Sequence, residues 1–202
     1  MELEFRPARP SDTDAAVPLI YSSGPAAFDY VFANPTAQST QEFLKYVFPD
    51  GAGEHGYRIH TVVIHDGRVV GAGACYTGEN SLSMMISAIR QIGAFYGLRY
   101  TPRVIRRGLK IEQLIQPPRG MMNYIGHLGV VPEFQGRGIG RRLIEHFLDV
   151  GRQAGRPKAA LDVSVENPRA QALYERIGFQ AVQECISTLP NVPDHRRMEM
   201  PL

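Results

Sequence analysis

One stretch limits what this chain can fold into: Gln135-Gly136-Arg137-Gly138-Ile139-Gly140-Arg141-Arg142, with glycine at every second position from 136 to 140. Ahead of it, Met122 to Val130 reads as a strand entering a core. Behind it, Leu143, Phe147, Val150 and Ala154 recur at helical spacing. Ile144 and Leu148 widen the same apolar face, and Gly155 supplies a helix-ending glycine. A strand therefore runs through a glycine-rich turn directly into the start of a helix.

That arrangement can cradle an anion. The glycines let the backbone approach a ligand closely, and the first helical turn leaves amide N–H groups without intrahelical partners. Those donors and the positive end of the helix dipole favour phosphate oxygens. Arg137, Arg141 and Arg142 add positive charge at the same end. A nucleotide P-loop needs Lys-Ser or Lys-Thr after its last glycine, and this chain reads Ile139-Gly140-Arg141 there. The dinucleotide pattern G-x-G-x-x-G needs glycine at 141, where Arg stands. A tight strand-to-helix turn with no ligand is the competing reading.

Composition narrows the classes further. A chain of 202 residues fits one domain with a substantial core. The net charge of +2 gives no ground for a nucleic-acid or membrane-surface partner. Cys75 and Cys185 both lie in strand-like runs, as buried thiols do, which argues against a disulfide framework. The N-terminus lacks a signal-peptide pattern and no apolar run reaches membrane-spanning length, so a cytoplasmic location is expected.

The chain then sorts into elements. Leu3 and Phe5 alternate with charge as a short strand. Ala15 to Tyr21 predicts a helix that Pro18 should kink or shorten. Ala26 to Phe32 is aromatic-rich and ends at Asn34-Pro35, and Ser39 with Glu42 has capping-box spacing for a helix through Phe48. Arg58 to His65 and Arg68 to Tyr76 form a hairpin about Asp66-Gly67. Between residues 79 and 120 the period turns helical. Leu82, Met85, Ile86, Ile89 and Ile92 mark one helix, and Thr101-Pro102 starts a second reaching about Ile115. This helical pair is too short to close a core of its own, so it reads as an insertion within one domain. Ala159 to Val165 is a buried strand, Asn167-Pro168 opens a helix, and Ala181 to Ser187 and Arg196 to Met200 close the chain as strands.

A second motif completes a pattern. Glu166-Asn167-Pro168-Arg169-Ala170, then Ala172-Leu173-Tyr174-Glu175-Arg176-Ile177-Gly178-Phe179, resembles N-x-x-A-x-x-L-Y-x-x-x-G-F of the GNAT acetyltransferase superfamily. Gln135, Gly138 and Gly140 match that superfamily's Q/R-x-x-G-x-G/A signature about thirty residues earlier. The resemblance implies a single α/β domain over residues 1–202, with 79–120 as a helical insertion before the central strand. Its sheet would be mixed, mainly antiparallel, of about seven strands flanked by helices, and splayed near Val130 and Val165. It also implies acetyl-CoA as co-substrate and acetyl transfer to a primary amine of a small molecule or peptide, by direct attack in a ternary complex without a metal. A non-catalytic acyl-CoA-binding or interaction module is the alternative. A homodimer is a further expectation from the apolar spacing of the insertion.

The resemblance carries over residue by residue. The pyrophosphate would sit on the amides of Gln135, Gly136, Arg137, Gly138, Ile139 and Gly140, with Arg141 beside them. The pantetheine would run along Leu128, Gly129 and Val130, with the Val130 N–H near the thioester carbonyl. Asn167 would contact the pantetheine or serve only as a helix cap. Such a reaction needs a base for the ammonium, aimed N–H donors for the oxyanion and an acid for the departing thiolate. Tyr174 matches the family's general-acid position, and His127, three residues before Val130, is the base candidate. A tyrosine that only packs its ring and a core histidine with a satisfied hydrogen bond are the alternatives for that pair. Glu54, His55, His60 and His65 lack metal-ligand spacing. Arg99, Arg103, Arg106, Arg107 and Lys110 make the insertion basic, as a solvated helix face or as a site for an anionic group on the acceptor.

Overall fold

The computed structural model describes residues 1–33 and 39–202. Seven strands form one mixed sheet in the order β1-β2-β3-β4-β5-β7-β6. These are β1 Glu4–Pro7, β2 His60–His65, β3 Arg68–Tyr76, β4 Asn123–Val130, β5 Lys158–Ser164, β6 Gln180–Cys185 and β7 His195–Pro201. Every neighbouring pair is antiparallel except β4 and β5. That parallel pair is joined only at Asn123–Ala159 and Tyr124–Ala160, so beyond its root the sheet forks.

The helices cover both faces. On one lie α1 Thr13–Ser22, α2 Pro25–Phe32 and α3 Thr40–Val47, whose Ile20, Phe28, Phe43 and Leu44 build one core with Val62 and Ala72. Pro18 sits inside α1 without ending it. The Ser39–Glu42 capping box forms as its spacing predicts, while Asn34-Pro35 lies outside the described residues. On the other face, α5 Ile139–Gln153 and α6 Pro168–Ile177 bury Leu143, Ile144, Phe147 and Tyr174 against Ile125, Leu161 and Met198.

The insertion is α4, Ser81–Leu114, two helical arms meeting at Gly97 (φ 68°, ψ 171°), a backbone region that is essentially glycine's own. Its second arm begins just past Gly97, several residues ahead of the expected Thr101-Pro102 start, and Pro102 lies inside it. The insertion packs on helices: Phe95 meets Phe43 edge-on and Tyr96 meets it at a tilt, and the Tyr96 hydroxyl donates to the Phe32 carbonyl (2.7 Å). At its far end the Arg197 guanidinium, ion-paired with Asp162 (2.8 Å), holds the Gln116 carbonyl. Leu82, Met85, Ile86 and Ile89 on the first arm are exposed. No helix among the described residues is long and apolar enough to cross a membrane.

Candidate active site

The glycine turn is built as a donor cradle. Gly136 (φ 77°) and Gly138 (φ 82°) occupy the left-handed region that glycine enters without a Cβ penalty. Arg142 makes the first intrahelical bond, to the Gly138 carbonyl (3.0 Å). The amides of Gly136, Arg137, Gly138, Ile139, Gly140 and Arg141 therefore have no acceptor among the described residues. A Cβ at Gly138 would meet nothing within 4 Å, so the space in front of these donors is open. Free amides, left-handed glycines and open space suit a pyrophosphate.

Gln135 departs from its expected part. Its amide donates within the turn to the Pro132 carbonyl (3.1 Å), and its side chain donates to the Val130 carbonyl (3.1 Å). It braces the cradle rather than lining it. Arg141 is ion-paired along the helix to Glu145 (2.7 Å), Arg137 lies over the Phe134 ring and Arg142 over Phe5. The cation that reaches the turn is Arg169, whose Nη2 would be 3.4 Å from a Cβ on Gly136. In the sequence Arg169 fills a variable position of the second motif, and only the packing of α6 beside the turn reveals it.

The strand leading to the cradle presents its open side to the fork. Val131 donates to the Val70 carbonyl (3.0 Å), making that a hydrogen-bonded pair. Bonded and non-bonded pairs alternate, so Val130, opposite Gly71, directs its N–H away from β3 and into the fork. Gly129 is required on packing grounds, since a Cβ there would collide with the Leu19 carbonyl oxygen of α1. Leu128 and Val130 pack with Leu173 and Tyr174 of α6. The Tyr174 hydroxyl makes no hydrogen bond among the described residues, and burial pushes it up to about 12, so it stays protonated and able to donate. Asn167 accepts from the Ala170 amide (3.0 Å), capping α6 and thereby setting the register of Tyr174.

His127 sits on the α1–α3 side of the sheet, placed there by a bulge. Ala72 faces Gly129 and Ala74 faces Gly126, so β4 carries one extra residue, and His127 takes φ 55°. Its ring meets His60 at 5.3 Å, His55 at 5.4 Å and Phe28 at 5.6 Å between centroids. The hydrogen bonds fix the tautomers. His60 Nδ1 lies 2.8 Å from the Gly56 carbonyl, which can only accept, so that nitrogen carries the proton. His60 Nε2 then accepts from His127 Nδ1 at 3.1 Å, which leaves His127 Nε2 as a free lone pair. Burial, then the neighbouring His60 and His55, holds His127 well below the usual histidine range, so it is neutral.

The same cluster holds residues that the sequence reading weighs only as metal ligands and sets aside. His55 and His60 are both lowered to about 4 by burial. Glu54 is open on one side yet hemmed in by protein, and that desolvation raises its carboxyl. Its charge in turn raises Glu112 and Tyr76 beyond what burial alone does. Among the described residues no group of His, Cys, Asp and Glu is arranged to hold a metal ion. The pairing of His60 with His127 becomes readable only once β2 and β4 are known to flank β3.

The sheet is thus mixed and forks at its one parallel pair, with an amide-lined helix start at the mouth of the fork. The family model of the acetyltransferase (GNAT) family matches residues 26–179, and the chain belongs to that family. Over 55 residues it is 53% identical to the mycothiol acetyltransferase of Beutenbergia cavernae, covering 27% of this chain and 18% of that protein. Over 102 residues it is 31% identical to the [ribosomal protein bS18]-alanine N-acetyltransferase of Salmonella typhimurium, covering 50% of this chain and 57% of that one. The chain thus spans less than two thirds of these curated relatives. An N-acetyltransferase from Staphylococcus aureus Mu50 shares the fold with a TM-score of 0.67 at 18% identity, covering 98% of this chain and all of that one. The NatC complex bound to Gag peptide and CoA aligns at 0.57 and 17% identity, over 100% and 99% of the two chains.

Proposed function

We propose that this protein transfers the acetyl group of acetyl-CoA to a primary amine by direct attack in a ternary complex. The observation that carries the reading is the fork. The open side of β4, ending in the Val130 N–H, leads straight into six residues of unpartnered amides at Gly136–Arg141. A linear ligand with an amide-bearing arm and an anionic tail satisfies both sets of groups at once. The carboxylates of Glu54 and Glu112 favour a cationic amine near the His127 cluster.

When bound, acetyl-CoA supplies an activated acyl group and a thiolate leaving group. The Val130 N–H donates to the oxygen on which negative charge develops. The lone pair on His127 Nε2 accepts the proton of the amine, directly or through water. The Tyr174 hydroxyl, rooted on the opposite face, gives its proton to the departing sulfur through the fork. The acceptor class, a small molecule or a peptide, belongs to this proposal, as does a cytoplasmic location, which the free thiols Cys75 and Cys185 fit. A thiol-release assay with acetyl-CoA against a panel of amines, amino acids and peptides tests the reading. Acetyl-CoA binding with no turnover of any amine would leave a non-catalytic acyl-CoA-binding module in its place.

A further inference from the structure

Among the described residues, the second arm of α4 keeps its cations unpaired. Arg99, Arg103, Arg106, Arg107 and Lys110 line a cavity of about 700 Å³ whose other walls are Pro102, Tyr30 of α2 and Pro190 of the β6–β7 loop. No carboxylate lines it, and among the described residues none of the five cations forms an ion pair. The spacing worsens the repulsion. Arg99 and Arg103, Arg103 and Arg107, and Arg106 and Lys110 are all like-charge i,i+4 pairs, which disfavour a helix. A merely solvated face commonly interleaves the two signs; this one concentrates five positive charges in a chain whose net charge is +2. Arg107 is held in place, donating to the Ala33 carbonyl (3.1 Å) and lying over the Tyr30 ring.

We infer that this cavity is the anion-binding half of the acceptor site, and that the acceptor is a small amine carrying a phosphate group. Guanidinium forks match phosphate oxygens pairwise, and several of them around one dianion remove the repulsion among themselves. The volume is that of a small-molecule site, open to solvent on one side. Position relates the cavity to the chemistry: α2 presents Tyr30 to it and, two residues earlier, Phe28 to His127. One helix, roughly 10 Å across with its side chains, thus separates the anion pocket from the lone pair on His127 Nε2. The amine must therefore reach round α2, on a spacer of at least about that length. This rests on the transfer reading for the identity of the ligand, but the binding of the phosphate does not.

The test uses ω-aminoalkyl phosphates with spacers from about two to about ten carbons, a range that brackets the helix diameter. Each is paired with its parent amino alcohol, and coenzyme A is kept saturating in binding experiments so that the glycine cradle is filled. Calorimetry should show the phosphates binding at least tenfold more tightly than the alcohols. The double variant Arg103→Gln/Arg106→Gln, at two exposed positions, should abolish that difference while leaving coenzyme A affinity unchanged. With acetyl-CoA, kcat/KM should peak at an intermediate spacer. Equal binding of phosphates and alcohols, or a preference the variant does not touch, overturns the inference even if the amines are acetylated. Tighter binding of an Asp-rich peptide than of every phosphate overturns the small-molecule class. Variant-sensitive phosphate binding with no acetylation of any amine supports the pocket and removes the transfer reading alone.

Discussion

At the residue scale, Tyr174 and His127, the proposed acid and base, differ in environment. Tyr174 is buried in the α5–α6 core, its proton retained up to about pH 12 and its hydroxyl free of protein partners. Tyr174→Phe removes only that hydroxyl, so coenzyme A affinity should stay near the wild-type value while kcat falls roughly 10²–10⁴-fold, as for loss of a positioned acid. Steady-state kinetics at saturating acetyl-CoA, with calorimetry alongside, checks both halves. A kcat within a few-fold of wild type would reduce Tyr174 to packing. For His127 the informative change is His127→Asn, because asparagine tolerates the left-handed backbone that the bulge imposes. Fold and coenzyme A binding should survive, with kcat down by roughly 10²-fold or more. In the wild type, His127 is already neutral well below pH 6.5, so kcat/KM should follow deprotonation of the free amine with no inflection near 6.5. A bell centred near neutrality would assign the base elsewhere.

At the element scale, the turn before α5 was legible in the sequence and much of its surroundings was not. Glycine spacing ahead of an apolar period specifies a strand, a turn and a helix start from local preferences alone, and the Asn167 cap and Ser39–Glu42 box were readable for the same reason. The bulge at His127 was not, because it is a mismatch between two strands and neither strand encodes it alone. Arg169 at the cradle and His60 behind His127 depend likewise on which elements lie side by side. The α4 break fell at Gly97 rather than at Thr101-Pro102, since a left-handed glycine ends one arm more sharply than a proline interrupts the next. The cradle itself can be tested with charge and shape separated. Gly138→Asp and Gly138→Asn both force a small side chain into a left-handed position, but only the first brings negative charge to the proposed phosphate site. Coenzyme A affinity should fall well over tenfold for Asp (above about 1.4 kcal/mol) and distinctly less for Asn. Equal losses in calorimetry would make the effect steric and weaken the anion assignment.

At the scale of the whole molecule, the buried imidazoles tie stability to pH. His55 and His60 fall to about 4 in the fold and His127 lies well below 6.5, against about 6.5 when unfolded. Between those limits the unfolded chain binds more protons, so stability is complete above about pH 6.5 and declines as pH falls toward 4. The raised carboxyls of Glu54 and Glu112 act in the opposite sense over part of that window, and the depressed Asp12 and Asp50 matter only below about pH 4. With His146 and His195 lowered by burial in the same sense, five imidazoles outweigh two carboxyls, so the melting temperature should be several degrees lower at pH 4.5 than at pH 7.5. A scan showing no difference would mean the histidine cluster hydrates and accepts charge more readily than its packing implies.

The two-rung junction between β4 and β5 has a mechanical meaning. Four strands on one side and three on the other are two leaves sewn together at the spine by Asn123–Ala159 and Tyr124–Ala160, with α5 pressed across the seam. A ligand lying between the leaves would act as the missing stitches, adding rungs along Ile125–Val130 that the polypeptide itself leaves undone. Amide hydrogens on the open edge of β4 should then exchange rapidly in the free protein and slow by orders of magnitude with coenzyme A bound, while those shared by β2 and β3 barely change. Hydrogen exchange read by mass spectrometry would show whether the sheet is finished by its own chain or by what it holds.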